Sequence, residues 1–231
     1  MVKTSMRRFE DDERVEYVQR DRAYGLGRIL ALSDGVFAFA MTLLVVDLTI
    51  PSGTAPLGTQ LLSQDPIYVS YVISFAAVAA TWYGHHQNFR YIERYDDILI
   101  GLNFLSLLVI AFVPFPTAVI GRHDSDPMAA VLYAATLALN SLCLFLTWSY
   151  ASSGRRLLRR DLDSTIVRTR LYRTLLGVVI FTLSIPVAVW EPRIAELLWS
   201  LLLIVNFVLI GSQGRRSPGH VVSTPNVQTE G

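Results

Sequence analysis

The chain has 231 residues, 52% of them hydrophobic and only 17% charged, with a formal net charge of +1. A general nucleic-acid binder, which would carry a strongly basic face, is excluded by that balance; the profile is that of a chain whose solvent is mostly lipid. The single cysteine, Cys143, lies in an apolar run, so there is neither a disulfide framework nor a metal-type cysteine spacing.

Residues 1–24 mix acids and bases, as in Glu10-Asp11-Asp12-Glu13-Arg14. No apolar core of roughly 7–15 residues precedes a small-residue cleavage site, so this is no secretory signal; it reads as a solvated, partly helical cytoplasmic lead-in. A transmembrane helix needs about 20 mainly apolar residues. Six stretches qualify: Gly27 to Ile50, Pro66 to Asn88, Ile98 to Ile120, Pro127 to Ala151, Tyr172 to Trp190 and Pro192 to Gly211. Asp65-Pro66 and Asp126-Pro127 each place an N-cap acid before a first-turn proline. Only Glu191-Pro192 separates the last two spans, which predicts a tight helical hairpin. The expected fold is all-α: a polytopic membrane protein with six transmembrane helices per subunit occupying 25–211, followed by a polar, disordered cytoplasmic tail at 212–231.

Basic residues set the orientation. Of the 20 lysines and arginines, all but Arg122 and Arg193 fall before Asp34 or after the second, fourth and sixth spans. This sorting supports an even number of spans, with both termini in the cytoplasm of a cell inner membrane. The cluster Arg155, Arg156, Arg159, Arg160, Arg168, Arg170 and Arg173 is either a topology determinant alone or a surface for anionic lipid.

Polar groups within a span are costly and face protein or water. The first span contains Arg28, Ser33, Asp34, Thr42 and Asp47. At about 100° per residue, Leu32, Gly35, Phe39, Thr42, Leu43, Val46 and Ile50 share one stripe, while Asp34 falls elsewhere with Ala38, Met41 and Val45. That stripe either packs on neighbouring helices, with Thr42 bonded to the Ala38 carbonyl, or surrounds an axis with copies from other subunits and lines an ion path. Asp47 either concentrates cations at a mouth or is a solvated acid at a helix end.

The run from Arg28 through Leu32-Ser33-Asp34-Gly35 to Thr42 and Asp47 closely resembles the first-helix signature of bacterial members of the transmembrane protein 175 family of potassium channels, with Leu32 in place of the signature's phenylalanine. Trp82-Tyr83-Gly84-His85-His86 is similar to the family's second-span Trp and His-His pattern, and Asn103 with Phe112-Val113-Pro114-Phe115-Pro116-Thr117 to its third-span motif. The resemblance, over residues 22 to 211, implies a homotetramer in the lipid bilayer, each subunit giving its first helix to a central pore for potassium ions. It places a pore constriction at Phe39, Leu43 and Val46, with Phe39 where the family usually has isoleucine or leucine. It places a selectivity layer at Thr42, and it assigns Arg28, Ser33, Asp34, Trp82, His85 and His86 to a structural network that holds the pore helix.

An enzyme is not expected: adjacent histidines point to different sides of a helix, no third ligand shares their side of the membrane, and no metal or other cofactor is called for beyond potassium as permeant. A secondary transporter of the inner membrane is the rival, but no half of the chain resembles the other. The Thr-Val-Gly-Tyr-Gly filter loop is absent, so modest potassium over sodium selectivity would come from side-chain rings.

Overall fold

The computed structural model describes the backbone of residues 2–49 and 53–202, with side chains from residue 23 onward. Ile50, the part of the expected sixth span beyond residue 202 and the expected tail at 212–231 lie outside the described residues. Within them the elements are α1 (Val2–Leu43) with a 3-10 turn (Leu44–Asp47), α2 (Leu57–Leu62), α3 (Asp65–Phe89), α4 (Asp97–Phe112), α5 (Pro114–Arg122), α6 (Pro127–Ser152) and α7 (Ser164–Trp190). A final helix, α8, occupies 192–202 up to the limit of the described residues. Among the described residues, five segments are long and apolar enough to cross a membrane: Ala23–Asp47, Asp65–Phe89, Asp97–Arg122, Pro127–Arg155 and Ser164–Trp190. In lipid only intra-helix bonding satisfies every backbone amide, which is why such apolar stretches fold this way.

Several boundaries differ from expectation, each for a local reason. The lead-in at 2–22 is not a separate segment in the backbone but the first half of α1, which runs unbroken into the membrane-length stretch. The first span then tightens at Leu44 into a 3-10 turn instead of continuing as α-helix to Ile50. Asp65 is no N-cap: α3 starts one residue early, with Asp65 in its first turn and Gln64 at the N-cap position without a capping side-chain bond. Asp126 does cap, accepting from the Met128 amide at 2.8 Å. The third span is broken at Val113, since Pro114 has no N–H to give Ile110; Pro114 and Pro116 thus open a new helix, α5, well inside the span and not at its end. The fifth begins at Ser164, eight residues before Tyr172, because Asp163 caps α7 through the Thr165 amide at 2.7 Å.

Packing follows from the faces these breaks create. Along α1, Ser33, Phe37, Ala40 and Leu44 recur at helical spacing and are buried. Phe37 and Ala40 meet α3 and α4 in a cluster with Val78, Leu107, Ile110 and Val113. A second cluster joins α3, α5, α6, α7 and α8 through Ala77, Ala130, Ala134, Ala188 and Ala195, with Tyr133 and Trp199 between them; small residues let these helix backbones approach closely. Gly121 serves the same end where α5 meets α3. A Cβ there would lie 2.6 Å from the Ser70 hydroxyl and 3.2 Å from the Ile67 Cα, which is backbone and cannot swing aside.

At the α4 start, loops 90–96 and 156–163 pair through an isolated bridge between Ile92 and Leu158. Asp96 caps α4 by accepting from the Leu99 amide at 2.9 Å and also accepts from the Tyr150 hydroxyl at 2.6 Å. Arg156 Nη2 stands 3.4 Å from the same carboxylate oxygen that the tyrosine meets. The tyrosine hydroxyl above all, then the amide and the guanidinium, hold the Asp96 carboxyl below its ordinary range, more than offsetting the desolvation that opposes it.

Two outcomes follow from this packing. Gly121→Ala overpacks the α3–α5 contact and should lower stability by about 1–3 kcal/mol, read as a fall in melting temperature in detergent. Asp96→Ala should cost about 1 kcal/mol at neutral pH through the lost cap. Because a depressed carboxyl stabilises only while ionised, that difference is complete above about pH 4 and fades as pH falls through the native pKa. Melting curves at stepped pH check it; a difference undiminished at about pH 3 would contradict the assignment.

Candidate functional site

The amphipathic reading of the first helix divides it into a tethered face and a free one. On the tethered face Ser33 is fully buried and donates its hydroxyl to the Ile29 carbonyl at 2.9 Å. Asn103, on α4, donates Nδ2–H to Ser33 Oγ at 3.1 Å, and its Oδ1 accepts from His85 Nε2 at 2.8 Å. Three helices are thereby joined by one chain of hydrogen bonds in a site without water access, where each unmade bond would cost the full desolvation of its group. The chain requires His85 to carry its proton on Nε2; Nδ1 is buried without a partner. Phe89 stacks on the His85 ring at 4.4 Å between centroids, and Phe37 lies tilted at 5.5 Å.

A second contact lies beside the first. Trp82 donates its indole N–H to Asp34 Oδ1 at 2.8 Å, and His86 stacks on the same indole at 5.5 Å. The two adjacent histidines thus face different ways, His85 toward Asn103 and His86 toward Trp82. Five of the six residues assigned to a network by resemblance therefore fall into two neighbouring contacts. Arg28 does not join them: it is exposed, and among the described residues it makes no hydrogen bond or ion pair. Asp34 is exposed on the subunit rather than buried within it. Asn103, read from sequence only as part of a motif, is the hub. Its position in an apolar run was the available signal, since a lone amide mid-span demands partners.

The free face carries the stripe. Phe39 is 62% exposed and Val46 68%, against 0% for Phe37 two positions away. Leu32, Gly35 and Thr42 are exposed and Leu43 is half-buried. Thr42 donates its hydroxyl to the Phe39 carbonyl at 2.8 Å, not to Ala38, which leaves the hydroxyl oxygen turned to that face as an acceptor. Asp47, at the end of the turn, pairs with Arg122 at 3.4 Å and is not a lone acid.

Apolar helices of bilayer length, tied by a dry polar seam and leaving one helix face unpacked, define a polytopic helical membrane protein whose first helix seeks a partner or a lumen. The profile of the family described as "Endosomal/lysosomal potassium channel TMEM175" matches residues 28–114, a range that contains every residue of both contacts and of the stripe. A potassium channel of Streptomyces collinus is 36% identical over 168 residues, covering 70% of this chain and 82% of that relative. One of Chamaesiphon minutus is 37% identical over 175 residues, covering 71% and 86%. The fold matches the crystal structure of a lysosomal potassium-selective channel TMEM175 homolog from Chamaesiphon minutus with a TM-score of 0.74 at 27% identity, over 80% of this chain and 98% of that one. The chain belongs to the TMEM175 family, a family of ion channels.

Asn103→Leu removes the hub and strands the His85 Nε2–H, while Ser33 keeps its bond to the Ile29 carbonyl. We expect a loss of about 1–3 kcal/mol for the stranded donor, seen as a lowered melting temperature in detergent and in lipid. A melting curve unchanged from that of the parent would show the seam to be dispensable.

Proposed function

We infer that the protein is a potassium channel in which α1 of each of four subunits lines a central pore. The observation that carries this reading is the unpacked stripe of α1, opposite a face fixed by the Ser33–Asn103–His85 seam. An exposed stripe of Phe39, Thr42, Leu43 and Val46 on one subunit has a use when copies face each other across an axis. The relatives from Streptomyces collinus and Chamaesiphon minutus, each covered over more than four-fifths of its length, are potassium channels by name, and the site residues fall within the region that the family profile covers.

In this reading Phe39 forms the narrowest ring. Apolar rings of this kind gate by excluding water, and the phenyl groups either close the path or rotate aside to open it. Thr42, its proton already committed to the Phe39 carbonyl, offers an oxygen to a partly dehydrated cation and contributes the selectivity. Leu43 and Val46 extend the constriction. With side-chain rings in place of a carbonyl-lined filter, preference for potassium over sodium is modest. Six spans per subunit put the basic loops and both termini in the cytoplasm of the inner membrane. Arg28, Ser33, Asp34, Trp82, His85 and His86 position the helix and do not touch the ion.

Potassium flux into proteoliposomes tests the assignment. Phe39→Ala should raise potassium flux several-fold, and Thr42→Ala should reduce the potassium-to-sodium flux ratio toward unity. Flux unchanged in both variants would remove the pore from this helix.

A further inference from the structure

The arginines of the basic face differ in what balances them. Arg156 has Asp96 at 3.4 Å, and Arg159 has Asp161 at 2.8 Å. Arg170, half-buried on α7, has neutral partners only: it donates to Asn88 Oδ1 at 3.3 Å and to Gln87 Oε1 at 3.1 Å, both at the end of α3. Its guanidinium lies over the Tyr91 ring, 4.7 Å from the centroid. Its Nε is buried without a partner, and among the described residues no carboxylate lies within ion-pair distance. A half-buried guanidinium with two of its five donors used and no anion beside it is an incomplete site.

Depth along α7 indicates what completes it. Trp190 and Tyr172 are 91% and 60% exposed on that helix. They lie about 27 Å apart along its axis, close to the hydrocarbon thickness of about 30 Å. Exposed tryptophan and tyrosine at such a separation mark the two interfaces, which puts Arg170 at the phosphate level of the leaflet on the basic side. Arg173, one turn further on the same helix, is exposed and makes no ion pair among the described residues.

We propose that Arg170 and Arg173 form a site for the phosphate group of an anionic phospholipid in that leaflet. Arg170 supplies a fixed planar donor set at the α3–α7 seam and Arg173 a second charge from outside it. The lipid completes a contact that ties α7 to the end of α3, the helix that carries Trp82, His85 and His86. This inference rests on the membrane topology given above and not on conduction, so its test reads lipid binding alone.

The full chain, purified in detergent, is melted with added phosphatidylglycerol, with phosphatidylcholine, and with inorganic phosphate at the same concentration. Phosphatidylglycerol should raise the melting temperature by several degrees, and the other two should leave it in place. Arg173→Gln, which breaks no contact seen in the fold, should at least halve that shift, and Arg170→Gln should abolish it. Arg155→Gln, on the same face but away from the seam, should keep it whole. An undiminished shift in Arg173→Gln, or an equal loss in Arg155→Gln, overturns the site in favour of diffuse attraction. An equal shift with inorganic phosphate overturns the lipid as its source, and an equal shift with phosphatidylcholine overturns the requirement for an anionic one.

Discussion

A helix in lipid has little reason to prefer one rotation about its axis, because hydrocarbon on every side is equally apolar. The first helix gains a preference from hydrogen bonds made where water cannot replace them. Ser33 reaches Asn103, and Asn103 reaches His85, across three helices. Turning α1 by even one residue would pull Ser33 away and leave the Asn103 side-chain N–H unpaired in the core. The apolar contacts of Phe37 and Ala40 then fill the space that the polar seam has fixed. What stays free, the face with Phe39, Thr42 and Val46, is free because of what the opposite face must do.

The same constraint separates two kinds of polar residue within one helix. Ser33 is buried and positions; Thr42 is exposed and carries an acceptor oxygen that no other side chain uses among the described residues. Asp34 stands between these cases, exposed but held by the Trp82 indole. The family relation gives the arrangement its setting, since the region matched by the family profile runs from Arg28 to Pro114, spanning both the seam and the stripe.

Much of this was legible in the residues. The apolar lengths disclosed helices of bilayer span, and a wheel drawn on the first of them separated Phe39 and Thr42 from Asp34. The motif around Ser33 and Asp34 pointed to the family. Other features depend on proximity in space, which no spacing in the chain reveals. Asn103 became the hub only when α4 lay against α1 and α3. Asp96 and Tyr150 are 54 positions apart, and Arg170 meets Asn88 across 82. Boundaries failed where local chemistry outweighed hydropathy: Pro114 cut the third span because its missing amide acts whatever the surroundings, and Asp163 started α7 among arginines that hydropathy assigns to a loop.

The central claim is that the free face of α1 meets water and ions. In a Cys143→Ala background, single cysteines at Phe39, at Val46 and, on the exposed face of α7, at Leu176 are treated with silver ion while potassium flux is followed in proteoliposomes. The account predicts block from positions 39 and 46 and none from 176. Silence at 39 and 46, or equal block from 176, would contradict it.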